Sequence, residues 1–244
     1  MNPLRRMLLL SEAAWARSTV KLDPEPEGER SGLVHPKGVD AHMPSDEGEA
    51  APLRFVAVGD SLVAACGVDS QELGMVPAIA QQIADRTGRP VHWRTHAKLG
   101  ATMRRVRHRF LPEVDGPVDV LLLCAGSNDI MARRGEEEWE SELSAVLDRA
   151  IELSPRVLLS SAGQPHNSPR LPRALRQHLR GKIDRQTEIS KRLCAERGVA
   201  YADVAHVDLV EGFWAGDGFH PSAQGYAFAT RCLVDAMEWL PKAS

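Results

Sequence analysis

Arg54-Phe55-Val56-Ala57-Val58-Gly59-Asp60-Ser61-Leu62 decides how the chain is read: an apolar run halts at a Gly-Asp-Ser turn. A short apolar run closed by a turn signal reads as a buried strand, and open α/β sheets place ligands outside the carboxyl ends of their strands. Ser61 is thereby delivered to the edge where chemistry is done, as a candidate nucleophile.

The same signature recurs along the chain. Pro117 to Cys124 is almost continuously apolar, as expected of a central parallel strand covered on both faces, and it runs into Ala125-Gly126-Ser127-Asn128-Asp129. Val91 to Thr95 alternates like a short strand, and Arg156 to Ser160 and Val199 to Val204 complete a set of five. Between them, Gly74 to Arg86 carries Met75, Ile79 and Ile83 at four-residue steps, and Glu136 to Leu153 carries Trp139, Leu143, Val146 and Leu147 on one side. Those are helical stripes. Further helices are expected over 100–110, Ile183 to Arg197 and Ser222 to Trp239, whereas the Pro- and Arg-bearing segment 162–182 reads as an excursion over the sheet edge, a lid. Strand and helix alternate throughout, which predicts an α/β fold with a parallel, doubly wound sheet.

The first fifty residues differ in kind. Met1 to Glu12 starts basic and continues with leucines, but Glu12 breaks the apolar run too early for a secretory h-region, so a short amphipathic helix is expected. Lys21 to Ala51 shifts to Pro, Glu, Asp, Gly and Ser, a composition that cannot bury enough apolar surface to offset the entropy of ordering. The expected organisation is therefore an N-terminal arm over residues 1–52, a helix plus a flexible acidic linker, and a folded domain over 53–244. No stretch approaches the roughly 20 apolar residues of a membrane-spanning helix. The formal charge of −3 gives no sign of a nucleic-acid partner. Cys66, Cys124, Cys194 and Cys232 lack metal-ligand spacing and read as small, reduced core residues, which fits the cytoplasm; no metal or cofactor is expected.

Acyl transfer needs a hydroxyl nucleophile, an imidazole base, a carboxylate to orient it and donors for the oxyanion. Ser61 supplies the hydroxyl. Asp217-Gly218-Phe219-His220-Pro221 puts a carboxylate and an imidazole on one short loop, with Ser222 placed to cap the helix behind it. Asn128 offers a side-chain amide, and Gly100 a backbone N–H that no Cβ shields. Taken together, Gly59-Asp60-Ser61-Leu62, Gly100, Gly126-Ser127-Asn128-Asp129 and Asp217 to Pro221 resemble, in order and spacing, the four blocks of the SGNH hydrolases, the GDSL esterase/lipase family. The second block departs from its relatives, which often carry an Asn before the glycine where this chain reads Thr95-His96-Ala97-Lys98-Leu99-Gly100.

That resemblance implies a three-layer α/β/α sandwich of flavodoxin-like topology with a five-stranded parallel sheet, and a metal-free serine esterase. Ser61 would be nucleophile, His220 general base and Asp217 its orienter, with Ser61 N–H, Gly100 N–H and Asn128 forming the oxyanion hole. The partner would be a small-molecule ester. The same site could serve a thioesterase, a lysophospholipase or an acyltransferase, and the same fold a binding module without catalysis. Two basic runs stand apart: Arg94 to Arg109 has six cations and no acid, and a second spans Arg170 to Arg185. They either hold an anionic part of the substrate or form solvated helix faces, the simpler reading.

Overall fold

The computed structural model describes residues 3–38 and 51–242. Its sheet has six strands: β1 (Ser31–Val34), β2 (Leu53–Gly59), β3 (Val91–Ala97), β4 (Val120–Cys124), β5 (Val157–Ser160) and β6 (Ala200–Ala202), in the order β1-β3-β2-β4-β5-β6. All neighbours pair in parallel except β1, which runs antiparallel to β3. The five parallel strands β2 to β6 match the sequence expectation and, numbered among themselves, follow the flavodoxin-like order 2-1-3-4-5. The expected five-stranded sheet is corrected to a mixed one of six, because the arm contributes an edge strand.

Alternation along β2 explains the three layers. Phe55 and Ala57 point into a core shared with α2 (Met75–Thr87) and α7 (Ala223–Asp235). Val56 and Val58 point the other way, into a core shared with α5 (Glu136–Leu153) and α6 (Arg173–Arg197). Leu122 and Leu121 divide the same way on β4, and all five β4 residues are buried, as a central strand requires.

Two sequence expectations fail, for physical reasons. The segment 162–182 is not wholly a loop: α6 starts at Arg173, ten residues before Ile183, after Pro172 at its N-cap. Leu175, Leu179 and Ile183 sit at four-residue steps, but Leu175 and Leu179 pack against another helix, α1 (Pro3–Thr19), so the pattern has no local partner. Glu12 of α1 also accepts the Leu175 N–H at 2.6 Å, supplying from a distance the cap that Pro172 cannot give.

The linker expectation is corrected over residues 21–38, which are laid along the domain. Thr95 N–H donates to Arg30 O at 2.8 Å, Gln71 donates to Pro26 O at 3.0 Å, and the Arg30 guanidinium donates to Ala97 O at 2.9 Å. Composition predicts disorder for a segment that cannot make a core, but this one is held by backbone ladder bonds and ion pairs at a sheet edge. The rest of that expectation, residues 39–50, lies outside the described residues. Among the described residues no helix is long and apolar enough to cross a membrane.

Candidate active site

Strand β2 ends where it must. A Cβ on Gly59 would lie 2.1 Å from Cys124 O on β4, so only glycine lets the chain leave the sheet here. Residues 61–67 then form a turn in which Cys66 N–H returns to Ser61 O at 3.0 Å. Ser61 is thus not the cap of a following helix. It is buried, at 8% exposure, and its hydroxyl makes no hydrogen bond to a described residue.

Asp217 and His220 come from a hairpin-like turn closed by Ala215 N–H to His220 O (2.9 Å) and Ser222 N–H to Phe213 O (2.8 Å). At its tip Gly218 has φ 63°, a left-handed conformation, and packs under the Arg170 side chain. Ser222 caps α7 by accepting the Gly225 N–H, as its position suggested. Asp217 Oδ1 accepts the N–H groups of Phe219 (2.8 Å) and His220 (2.9 Å), which locks the carboxylate. Its Oδ2 accepts His220 Nδ1–H at 2.6 Å and the Asp23 N–H at 3.1 Å. Burial pushes the Asp217 carboxyl up, but the N–H groups of His220, Phe219 and Asp23 outweigh it and hold the group below its ordinary value. Oriented this way, His220 leaves Nε2 buried and without a hydrogen-bond partner.

Ser61, Asn128 and His220 line one cavity of about 70 Å³, together with an apolar wall that includes Leu62, Val207, Phe213, Trp214 and Phe228. The structure therefore brings together the serine at the end of β2, the Asn after β4, on α4 (Ser127–Met131), and the Asp–His turn. The cavity opens at the point where strand order reverses between β2 and β4, the position at which doubly wound sheets bind ligands. Asn128 is not idle: Nδ2 donates to Ala101 O at 2.9 Å and meets Asp60 Oδ2 at a long 3.4 Å. Gly100 stands next door, exposed in a left-handed turn with φ 80°, and does not line the cavity.

Beneath the serine lie two buried carboxyls. Burial, with Asp129 nearby, pushes Asp60 up to about 7, although Leu62 N–H bonds its Oδ1 at 3.0 Å. Burial likewise pushes Asp129 up to about 6, against the Met103 N–H on α3 (Met103–Arg105). The one cysteine in the cavity wall, Cys232, has its thiol raised by burial and by Asp235, which favours the unreactive protonated form.

Sequence reasoning missed the contributions of the arm and of the 165–171 segment. Glu25 accepts Leu99 N–H at 2.6 Å and pairs with Lys98 and Arg30, clamping the turn that carries Gly100. Ser168, fully buried, donates to Gly218 O at 2.6 Å. Gly163, Gln164 and Pro165 reach the cavity wall, so the segment taken as a lid does meet the site. The cations of 94–109 do not: Arg104 and Arg107 pair with Glu142 on α5, and Arg94 with Asp115, consistent with a solvated face.

A family model described as GDSL-like Lipase/Acylhydrolase matches residues 57–228. The chain belongs to that family. Among solved structures it is similar to LAE5, an alpha/beta hydrolase enzyme from the metagenome of Lake Arreo, Spain, at 20% identity and TM-score 0.60, over 79% of this chain and 98% of that one. TesA gives 21% identity and TM-score 0.62, over 76% and 98%. A variant of Axe2, an acetyl xylan esterase from Geobacillus stearothermophilus, gives 16% and 0.61, over 80% and 99%. No curated protein matches. The matched family segment begins at Ala57 and leaves α1, β1 and the strap between them outside it.

Proposed function

We propose that this GDSL-family protein hydrolyses carboxylic esters through an acyl-enzyme on Ser61. The observation that carries the reading is the pairing, within one cavity, of an unbonded serine hydroxyl with a buried imidazole Nε2 that lacks a partner, its Nδ1 already committed to Asp217 at 2.6 Å. His220 Nε2 takes the Ser61 proton as Oγ attacks the ester carbonyl, and the resulting imidazolium gives that proton to the departing alcohol. Water then enters and gives a proton to the same nitrogen as its oxygen attacks the acyl carbon; the Oγ–acyl bond breaks, the imidazolium returns the proton to Ser61 Oγ, and the acid leaves.

The oxyanion would be met by the Ser61 N–H and by Asn128, which exchanges its 3.4 Å contact with Asp60 for the stronger developing charge. Gly100 would join as a third donor only after its turn moves toward the cavity. A volume of about 70 Å³ is roughly half that of a cavity that takes benzene, which suits a short acyl group. That the neighbour from Geobacillus stearothermophilus is an acetyl xylan esterase agrees with this size. The reading includes a small-molecule substrate, no nucleic acid and a cytoplasmic setting.

The decisive test uses p-nitrophenyl acetate and a fluorophosphonate probe. The native protein should be labelled and active, and Ser61→Ala should lose label and about 10⁴-fold or more of kcat. Undiminished turnover in Ser61→Ala would remove the assignment.

A further inference from the structure

Beside the small cavity lies a larger groove of about 610 Å³, formed where α1 and the strap behind it lean on α4 and the first turns of α6. Asn128 and Phe219 line both spaces, so the groove begins at the catalytic cavity. Its floor is aliphatic, with Leu9, Leu171, Leu175 and Leu179 as its main side chains. Arg6, Arg17, Arg133, Arg134 and Lys182 also line it, and no carboxylate does, among the described residues.

Those cations are mostly uncommitted. Arg134 pairs with Asp129 and Glu138, but Arg6, Arg17, Arg133 and Lys182 have no ion-pair partner among the described residues. Arg133 is held with φ 58°, one of two non-glycine residues at positive φ among the described residues, where the chain leaves α4. Strain of this kind persists where the surroundings over-determine the conformation, and here it sets a guanidinium at the groove. The local field is positive: burial first, and then Lys182, Arg185 and Arg5, hold His178 in the groove wall below its ordinary value.

A space of this size, apolar along its floor and cationic at its border, fits one molecule with an alkyl chain and an anionic end. We infer that the groove binds a single-chain anionic amphiphile, and that the ester substrate carries such a group on its alcohol side. The short acyl part occupies the 70 Å³ cavity, and the leaving group runs past Asn128 and Phe219 into the groove. The statement about the substrate rests on the esterase reading; the binding site does not. The groove owes one wall to α1, which lies outside the family-matched segment.

Monododecyl phosphate, below its micelle-forming concentration, is the probe, titrated by calorimetry into Ser61→Ala protein so that turnover plays no part. It should bind one to one, whereas inorganic phosphate and dodecyltrimethylammonium should not bind measurably. Arg133→Gln combined with Lys182→Gln should weaken it about tenfold or more, and raising salt should weaken it further. Failure of the phosphate amphiphile to bind, equal binding of the cationic one, or an unchanged double variant would each overturn the inference. So would binding only to vesicles containing phosphatidylglycerol, which would make this face a membrane-docking surface instead. If binding holds but native protein fails to turn over p-nitrophenyl acetate, the esterase reading falls and the groove stands.

Discussion

Two regions meet on one oxygen atom. Asp217 Oδ2 accepts His220 Nδ1–H, three residues away, at 2.6 Å, and Asp23 N–H, 194 residues away, at 3.1 Å. The first donor belongs to a turn inside the family-matched segment and was readable from residue types at a set spacing. The second comes from the arm, outside that segment, and was not readable. The difference lies in what each contact asks of the sequence. An imidazole donor requires histidine at that position, whereas a backbone N–H is supplied by any residue but proline, so selection leaves no mark there.

The sharpest break of the near half is Asp217→Asn. An amide cannot hold His220 Nδ1–H as an acceptor-only carboxylate does, and the imidazole is free to take the tautomer that cannot accept the serine proton. We expect kcat on p-nitrophenyl acetate to fall about 10⁴-fold; the N–H bonds to Oδ1 can persist on the amide oxygen, while the Asp23 N–H loses its acceptor, so the unfolding midpoint should fall only modestly. A loss under tenfold would mean that the pair is not acting as base and orienter.

Next in size is an effect on stability rather than rate, at the carboxyl beneath Ser61. Asp60 holds its proton up to about pH 7 when folded, whereas an unfolded aspartate releases it near pH 4. Between those values the folded state binds more protons, so stability falls as pH rises and levels off above pH 7. Asp60→Asn carries no such charge. Its stability relative to the native protein should therefore improve between pH 5 and pH 8, by an amount on the order of 2 to 3 kcal/mol. Urea unfolding at the two pH values reads this directly, and an equal difference at both would show that the Asp60 charge is not the cause.

What could be read in the sequence follows the same division. Phe55 to Val58 and Leu121 to Leu123 announced their strands because two covered faces force continuous apolar residues. Ser61, Asn128 and His220 were singled out by residue type and spacing, and the fold sets them on one cavity with Asp217 bonded to His220 Nδ1. Leu175 and Leu179 were not read as helix, since the element that covers them lies more than 150 residues earlier in the chain. Gly100 was placed by motif, which records sequence position but not whether a turn faces the cavity or solvent. The arm was misjudged because composition scores what a segment can bury, and this one is held by edge pairing and by Glu25, whose carboxylate survives partial burial through the Leu99 N–H and Arg30.

The comparison is best sharpened by removing the distant donor alone. Asp23→Pro deletes the N–H that reaches Asp217 Oδ2, and Asp23→Ala keeps it. Losing one of the bonds that hold the Asp217 carboxyl below its ordinary value should raise it and leave the carboxylate that orients His220 less firmly fixed. One hydrogen bond to a charged group amounts to roughly 1.5 kcal/mol, which sets the expected fall in kcat at about tenfold. KM should change little, since Asp23 is absent from the cavity wall. Asp23→Ala should match the native enzyme in both respects. If the alanine variant loses as much as the proline variant, the side chain or the local packing of the arm is what matters. If neither loses anything, the arm rests on the site without supporting it, and the turn from Phe213 to Ser222 orients His220 unaided.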